Sequence, residues 1–246
     1  MKITKKQFEK IEEYFPVQRG NVKINNYDFI NAIPYIAENG CKWRALPKEY
    51  GNWNSIYKRF NRWVNNGVIQ RIFTVLQQER IIAIKVEVLA LDSTSWTWSF
   101  KKHGKQSIGK SKGGWNTKLH VVSADDTTII EMHLSGGNRH DAPEGRSSIE
   151  KIGNDYKGIP YLMDKAYEGD KTCDLAFYYG HEPVVPPKKN RLDPWEYDSE
   201  LYKRRNIIER LFRWLKEFRK VFTRYDKLDS MYLSFIQFAC IFKWSK

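Results

Sequence analysis

Three carboxylates in this chain have neighbours suited to metal-assisted chemistry. Asp92 closes the run VEVLALD, Asp164 closes IPYLMD, and Glu209 lies inside YKRRNIIERLFRWLK. The first two runs read as short buried strands ended by an acid, and the third as a basic helix. An acid at the tip of a core strand is open to an ion yet held rigidly, and hard divalent cations prefer its oxygens. Two such acids and a helical Glu can seat a pair of Mg2+ ions about 4 Å apart, with Mn2+ as a substitute. That arrangement clamps the attacking and leaving oxygens of an in-line phosphoryl displacement. Crowded carboxylates repel one another, so metal dependence and a loose metal-free geometry are expected.

Glu209 belongs to a wider pattern. On one continuous helix starting near residue 199, at about 100° per residue, Tyr202, Arg205, Glu209 and Lys216 share a stripe about 60° wide. Ile208, Leu211, Leu215, Phe218 and Phe222 gather on the opposite side. Arg205 and Glu209 alone make an ordinary (i, i+4) pair worth about 0.2–0.5 kcal/mol. A lone acid among Arg204, Arg205, Arg210, Arg213 and Lys216 is better explained as a metal-bound carboxylate amid cations that grip phosphate.

Charge supports a polyanionic partner. The 246 residues carry a formal net charge of +13, and the excess is clustered. From residue 201 onward there are 12 Lys/Arg against 4 Asp/Glu, and residues 101–118 hold six Lys and no acid. A solvated basic surface would look similar, but Trp96, Trp98, Trp115, Trp195 and Trp214 interleave with these stretches. Indoles beside cations suit nucleic acid, although several of them are expected in the core. A 41% hydrophobic, 15% aromatic composition is ample for a core in one or two domains. Cys41, Cys173 and Cys240 have no paired spacing, which argues against a disulfide framework or a cysteine zinc site. The N-terminal MKITKKQFEKIEEYF lacks a signal peptide's apolar stretch and nowhere do 18 apolar residues run together, so a reducing cytoplasm is expected.

Helices are expected over residues 5–14, 27–38, 53–63 and 68–82. In the third, Trp53, Ile56, Tyr57, Phe60 and Val64 fall at helical spacing while Lys58, Arg59 and Arg62 face away. Joined to the preceding helix through GCKWRALPKEYGN, it fits a helix-turn-helix-like DNA reader or any small bundle with an exposed basic helix. From residue 85 strands begin: VEVLALD, then a hairpin over 115–134 turning at Ala124, Asp125 and Asp126. After SGGNRHDAPEG come a helix over 146–152, the strand IPYLMD, a helix over 170–179, the strand HEPVV, the loop PPKKNR and the long basic helix. Three strands in meander followed by helix and strand alternation is the order of a ribonuclease H-like α/β core, a mixed sheet flanked by helices. The expected organisation is a small all-α helix-turn-helix-like domain over 1–84 and the catalytic domain over 85–246. Lys188, Lys189 and Arg191 in PPKKNR are phosphate contacts or a solvated loop. In Asn138, Arg139, His140 and Asp141, the last caps the following helix or the cluster supports the site or DNA. Metal activation makes His140 unnecessary as a base, and His120 and His133 read as structural.

The spacing Tyr202-x2-Arg205-x3-Glu209-x6-Lys216 matches the Y-x2-R-x3-E-x6-K signature of bacterial insertion-sequence transposases with a DDE triad. The chain resembles the insertion sequence 5 group in particular. LDSTS, SGGNRHDAPEG, MDKAYEGD, VPPKKNR and RNIIERLFRWLKEFRKVFTRYDKL resemble that group's segments in order, and GCKWRALPKEYGNWNSIYKRFNRW its N-terminal domain. The resemblance implies that Asp92, Asp164 and Glu209 are the metal-binding triad. It also makes Tyr202, Arg205 and Lys216 DNA-contacting or transition-state partners. The implied activity is Mg2+-dependent cleavage at transposon ends and joining to target DNA, by a homodimer or larger assembly near the bacterial nucleoid. Two other readings stay open: a DNA-binding relative without chemistry, and a ribonuclease H-like nuclease without strand transfer. The intact triad speaks against the first, and the basic C-terminal helix and separate N-terminal domain against the second.

Overall fold

Apolar side chains recurring at three- and four-residue spacing build the N-terminal helices. The computed structural model describes residues 2–20, 22–97 and 105–245; Trp98, Lys101 and Lys102 lie outside the described residues. Helix α1 (Lys5–Glu9) opens on a capping box between Thr4 and Gln7. It is shorter than expected, with a 3-10 turn following at Glu12–Tyr14. Helix α2 (Asn26–Asn39) starts on the Asn25 side chain and stops at Gly40, whose φ of 59° suits glycine. Helices α3 (Trp53–Asn65) and α4 (Val68–Ala83) follow. The buried face of α3 is Ile56, Arg59, Phe60, Trp63 and Val64, rotated from the expected one.

Among the described residues the sheet has six strands: β1 (Leu89–Thr97), β2 (Gly109–Ser111), β3 (Gly114–Ser123), β4 (Ile129–Gly136), β5 (Pro160–Met163) and β6 (Glu182–Val184). Strand β3 pairs antiparallel with β1 and β4, while β5 pairs parallel with β1 and β6 with β5. The short β2 pairs with the first residues of β3. Three antiparallel strands continued by two parallel ones, in the order β4-β3-β1-β5-β6, form the expected ribonuclease H-like core. Helix α5 (Asp141–Ile152) links β4 to β5, and α6 (Asp170–Tyr178) links β5 to β6. Ile149 and Ile152 of α5 pack with Leu89, Leu91, Val122, Tyr161 and Met163. The expected helix over 146–152 thus begins five residues earlier.

The long C-terminal helix is broken. It becomes α7 (Ser199–Lys203), α8 (Asn206–Leu215) and α9 (Arg219–Phe222), followed by α10 (Asp229–Trp244). At the first break, the amides of Arg204, Arg205, Ile207 and Ile208 each donate to the carbonyl three residues earlier, tightening the chain. The single stripe expected for Tyr202, Arg205, Glu209 and Lys216 therefore does not exist.

The chain divides into two units, one of Met1–Arg80, Ser99–Gln106 and Trp214–Lys246, the other of Ile81–Trp98 and Ser107–Arg213. The first division lies near the expected boundary at residue 84, but Trp214–Lys246 joins the N-terminal helices. Helix α10 is buried along almost its whole length, and such a helix must be covered on every side. Phe235 meets Phe60 with ring centroids 4.7 Å apart, and Phe238 meets Phe29 at 6.2 Å. Among the described residues no helix is long and apolar enough to cross a membrane.

Candidate active site

Strand register brings the two aspartates together. Leu91 and Met163 are the last paired residues of β1 and β5, so Asp92 and Asp164 follow side by side on neighbouring parallel strands. Asp92 is not at a strand tip, as the sequence suggested; β1 continues to Thr97 against β3, with Asp92 opposite Val121. The antiparallel ladder extends beyond the parallel one, so the sheet opens at these two acids. The Ser93 amide donates to Asp92 Oδ1 at 2.7 Å, and Asp164 caps the turn after β5 by accepting from the Ala166 amide at 3.0 Å.

Arg205, at the break between α7 and α8, gathers all three acids. Its Nη2 lies 3.2 Å from Asp92 Oδ2 and 3.0 Å from Asp164 Oδ2, and its Nη1 lies 2.8 Å from Glu209 Oε1. Exposure rises outward, from 20% for the Asp92 side chain through 41% for Asp164 to 60% for Glu209. Burial pushes the Asp92 carboxyl up to about 6, against the pull of Arg205 and the Ser93 amide. Burial opposes the charge on Arg205, yet Asp92, Tyr202, Asp164 and Glu209 together hold its pKa above the ordinary arginine value. The guanidinium stands between the three acids and offsets their mutual repulsion. Oxygen donors converging on one cationic centre fit a hard divalent ion. Tyr202 sets its ring 6.0 Å from the Arg205 guanidinium carbon. Lys216 is exposed and falls in the first unit, whereas Asp92, Asp164 and Glu209 lie in the second.

Behind Asp92, the next side chain along β1 is fixed from the other sheet face. Ser93 Oγ donates to Asp141 Oδ1 at 2.7 Å, and Lys118 Nζ reaches the same oxygen at 2.9 Å. Asp141 is therefore not the cap of α5; His140 holds that position without a capping bond, and Asp141 braces the strand carrying Asp92. Sequence reasoning missed Ser93 and Lys118, whose only signal was alternation with buried residues.

The basic residues expected to grip phosphate divide into two kinds. Lys58, Arg62 and Lys189 are exposed. Arg59 is buried, correcting its assignment to an outward face. Its Nη1 donates to the Ile24 carbonyl at 3.0 Å, its Nη2 to the Asn26 side chain, and its guanidinium lies 4.4 Å from the Phe29 ring centroid and 4.5 Å from that of Trp63. Burial, with Arg62 nearby, pushes its pKa down to about 10. In the PPKKNR loop, Lys188 pairs with Glu168 at 3.2 Å, while Arg191 bonds Glu168 at 3.0 Å and Asp170, and lies 4.1 Å from the Trp195 ring centroid. Trp96 is buried, Trp195 donates to the Val185 carbonyl, Trp214 packs on Phe218, and Trp115 is exposed.

Residues 85–241 match the family described as "Transposase DDE domain". The chain belongs to the DDE transposases. Residues 3–73 match a second family, "Putative transposase of IS4/5 family". The enzyme is a DDE-type transposase, a class that uses divalent metal. It is 24% identical over 151 residues to the "Putative transposase for insertion sequence element IS402" of Burkholderia cepacia, covering 58% of this chain and 68% of that one. It is 26% identical over 130 residues to the "Putative transposase for insertion sequence element IS6501" of Brucella ovis, covering 52% and 97%. Against the solved piggyBac transposase synaptic complex with hairpin DNA the TM-score is 0.39 at 10% identity, covering 76% of this chain and 47% of that one. The chain thus spans about half the length of the piggyBac protein.

Proposed function

We propose that this DDE transposase binds the DNA ends of its insertion sequence and cuts and joins them in a Mg2+-dependent reaction at Asp92, Asp164 and Glu209. One observation carries the reading: three acids from a strand, a strand end and a helix all bond the guanidinium of Arg205. Divalent ions held by these carboxylates supply a lowered pKa for an attacking water or 3′-hydroxyl and charge stabilisation for the leaving oxygen. Asp92 provides the fixed reference, because its strand is paired beyond it and braced through Ser93. Glu209 is the most exposed of the three and the one with room to adjust. Arg205, once its carboxylates are otherwise engaged, presents a fork suited to a phosphate, and Tyr202 beside it flanks that path. Exposed Lys58 and Arg62 on α3, with Lys189 and Lys216, are the proposed phosphate contacts, and Lys188 and Arg191 join them where DNA displaces their acidic partners. A homodimer or larger assembly pairs two ends.

Purified protein is incubated with Mg2+ and the DNA flanking its own gene. Cleavage with joining to a second duplex is the expected result. Cleavage alone would leave a nuclease, and binding without cleavage would leave a DNA-binding relative.

A further inference from the structure

On the sheet face opposite Asp92, two histidines meet across strands. Successive side chains alternate between faces; Asp92 lies opposite Val121, and Ser93 opposite His120. His120 is the register partner of His133, and their rings stack with centroids 4.8 Å apart. Glu144 reaches the pair from α5, with Oε2 3.3 Å from His133 Nε2.

The hydrogen bonds leave His120 with one unbonded ring nitrogen and set His133 between two carboxylates. His120 Nε2 lies 2.7 Å from Ser135 Oγ, while His120 Nδ1 is buried and bonded to nothing among the described residues. With the proton on Nε2, Nδ1 carries a bare lone pair. His133 Nδ1 lies 3.2 Å from both oxygens of Glu131, which Ser148 Oγ and Lys151 Nζ hold at 2.9 Å each. With the proton directed at Glu131, His133 Nε2 points a second lone pair at the Glu144 carboxylate. Two acceptors face each other there unless a second ring proton or a metal ion lies between them. Glu131 behind His133 and Ser135 behind His120 are the kind of outer partners that fix the tautomer of metal-bound histidines.

We propose that His120, His133 and Glu144 bind a zinc-class transition-metal ion, separate from the carboxylate triad. One donor atom from each lies within 4.8 Å of the others. Donors about 2.1 Å from a tetrahedral ion are about 3.4 Å apart, so the widest gap closes by no more than about 1.4 Å through side-chain rotation. Two imidazoles and a carboxylate, with water completing the shell, favour Zn2+ over Mg2+. The ion ties the β3–β4 hairpin to α5, the helix whose Asp141 braces Ser93.

The test uses the full chain with the triad disabled by Asp92→Asn, Asp164→Asn and Glu209→Gln, stripped with chelator. Titration with ZnCl2 by calorimetry should show one equivalent bound, unaffected by excess Mg2+, with a rise in melting temperature. Co2+ should give visible absorption bands of a low-coordinate nitrogen site. Adding His133→Gln or Glu144→Gln should weaken Zn2+ binding at least about tenfold; Glu144 is part-exposed, so its variant keeps the test open if the histidine variant misfolds. No stoichiometric Zn2+ uptake by the folded protein would overturn the proposal and leave His133 simply hydrogen-bonded between two glutamates. So would uptake that neither substitution changes.

Discussion

Arg205 Nη2 stands 3.0 Å from Asp164 Oδ2. The same nitrogen reaches Asp92, and the other arm of the fork reaches Glu209. One side chain thus places a positive charge among three converging carboxylates. The guanidinium does this from two separate nitrogens, a wider reach than the single nitrogen of an ammonium offers.

Arg205→Ala leaves that cluster without a counter-charge. The metal-free variant should lose about 1–3 kcal/mol, a range discounted because Asp164 and Glu209 are well solvated. Mg2+ should restore more stability to the variant than it adds to the wild type. Melting curves with and without Mg2+ read this directly, and an equal loss in both conditions would reduce Arg205 to a structural role.

Asp92→Asn, Asp164→Asn and Glu209→Gln keep the shape of each side chain while removing its charge. Each should lower end cleavage by about a thousandfold or more while leaving end binding within a few-fold. Single-turnover cleavage beside a mobility-shift titration separates the two effects. Full activity in any one variant removes that residue from the triad.

The convergence of Asp92 and Asp164 was legible because each ends an apolar run, and adjacent parallel strands put two such ends side by side. The continuation of β1 through Ser93 to Thr97 was not, since its pairing depends on β3, whose partner residues lie 19 to 27 positions further along the chain. The break at Arg204 and Arg205 has neither Pro nor Gly to announce it; bonds to acids on two distant strands hold Arg205 there. Arg59 was misread because periodicity treats every arginine as outward; Trp63 lies one turn along the same helix, but only the fold brings Phe29, Ile24 and Asn26 within reach of its guanidinium. The role of Asp141 was hidden likewise, because its partners Ser93 and Lys118 are remote in sequence.

Gly145 lets α5 approach the sheet closely. A Cβ there would fall 2.4 and 2.6 Å from ring carbons of Tyr167 and 3.1 Å from Leu91 Cδ2. Gly145→Ala gains about 1 kcal/mol of helix propensity but overpacks the core, and the net should be a loss of about 1–3 kcal/mol. Urea unfolding should show a lower midpoint at an unchanged slope. A midpoint equal to that of the wild type would mean that Tyr167 moves aside freely.

Asp125 organises the β3–β4 turn. Its Oδ1 accepts from the Thr127 amide at 2.7 Å and the Thr128 amide at 2.6 Å, and its Oδ2 from Thr128 Oγ1 at 2.9 Å. Burial alone would raise its pKa, but these bonds outweigh it and hold the carboxyl below its ordinary value of 3.8. The stabilisation is therefore complete above that value and disappears as pH falls through the lower folded one. Asp125→Asn should cost about 1–2 kcal/mol at neutral pH, and the difference should shrink only in the acid limb below 3.8. Stability measured across that range checks the sign; a gap that widens on acidification would contradict it.

The basic side chains of α3 should separate into two classes under mutation. Lys58 and Arg62 are exposed, so replacing either with Ala should leave the melting temperature unchanged and lower the salt dependence of DNA binding by about 0.9 in slope per lost phosphate contact. Arg59 instead satisfies the Ile24 carbonyl and the Asn26 side chain and lies over two aromatic rings. Arg59→Ala should cost about 2–4 kcal/mol of stability by removing those bonds and contacts. It should leave the salt slope of the protein that remains folded unchanged. Anisotropy titrations at several salt concentrations, run beside thermal melts, distinguish the classes. A stable Arg59→Ala variant with a reduced slope would return that arginine to the DNA-facing surface.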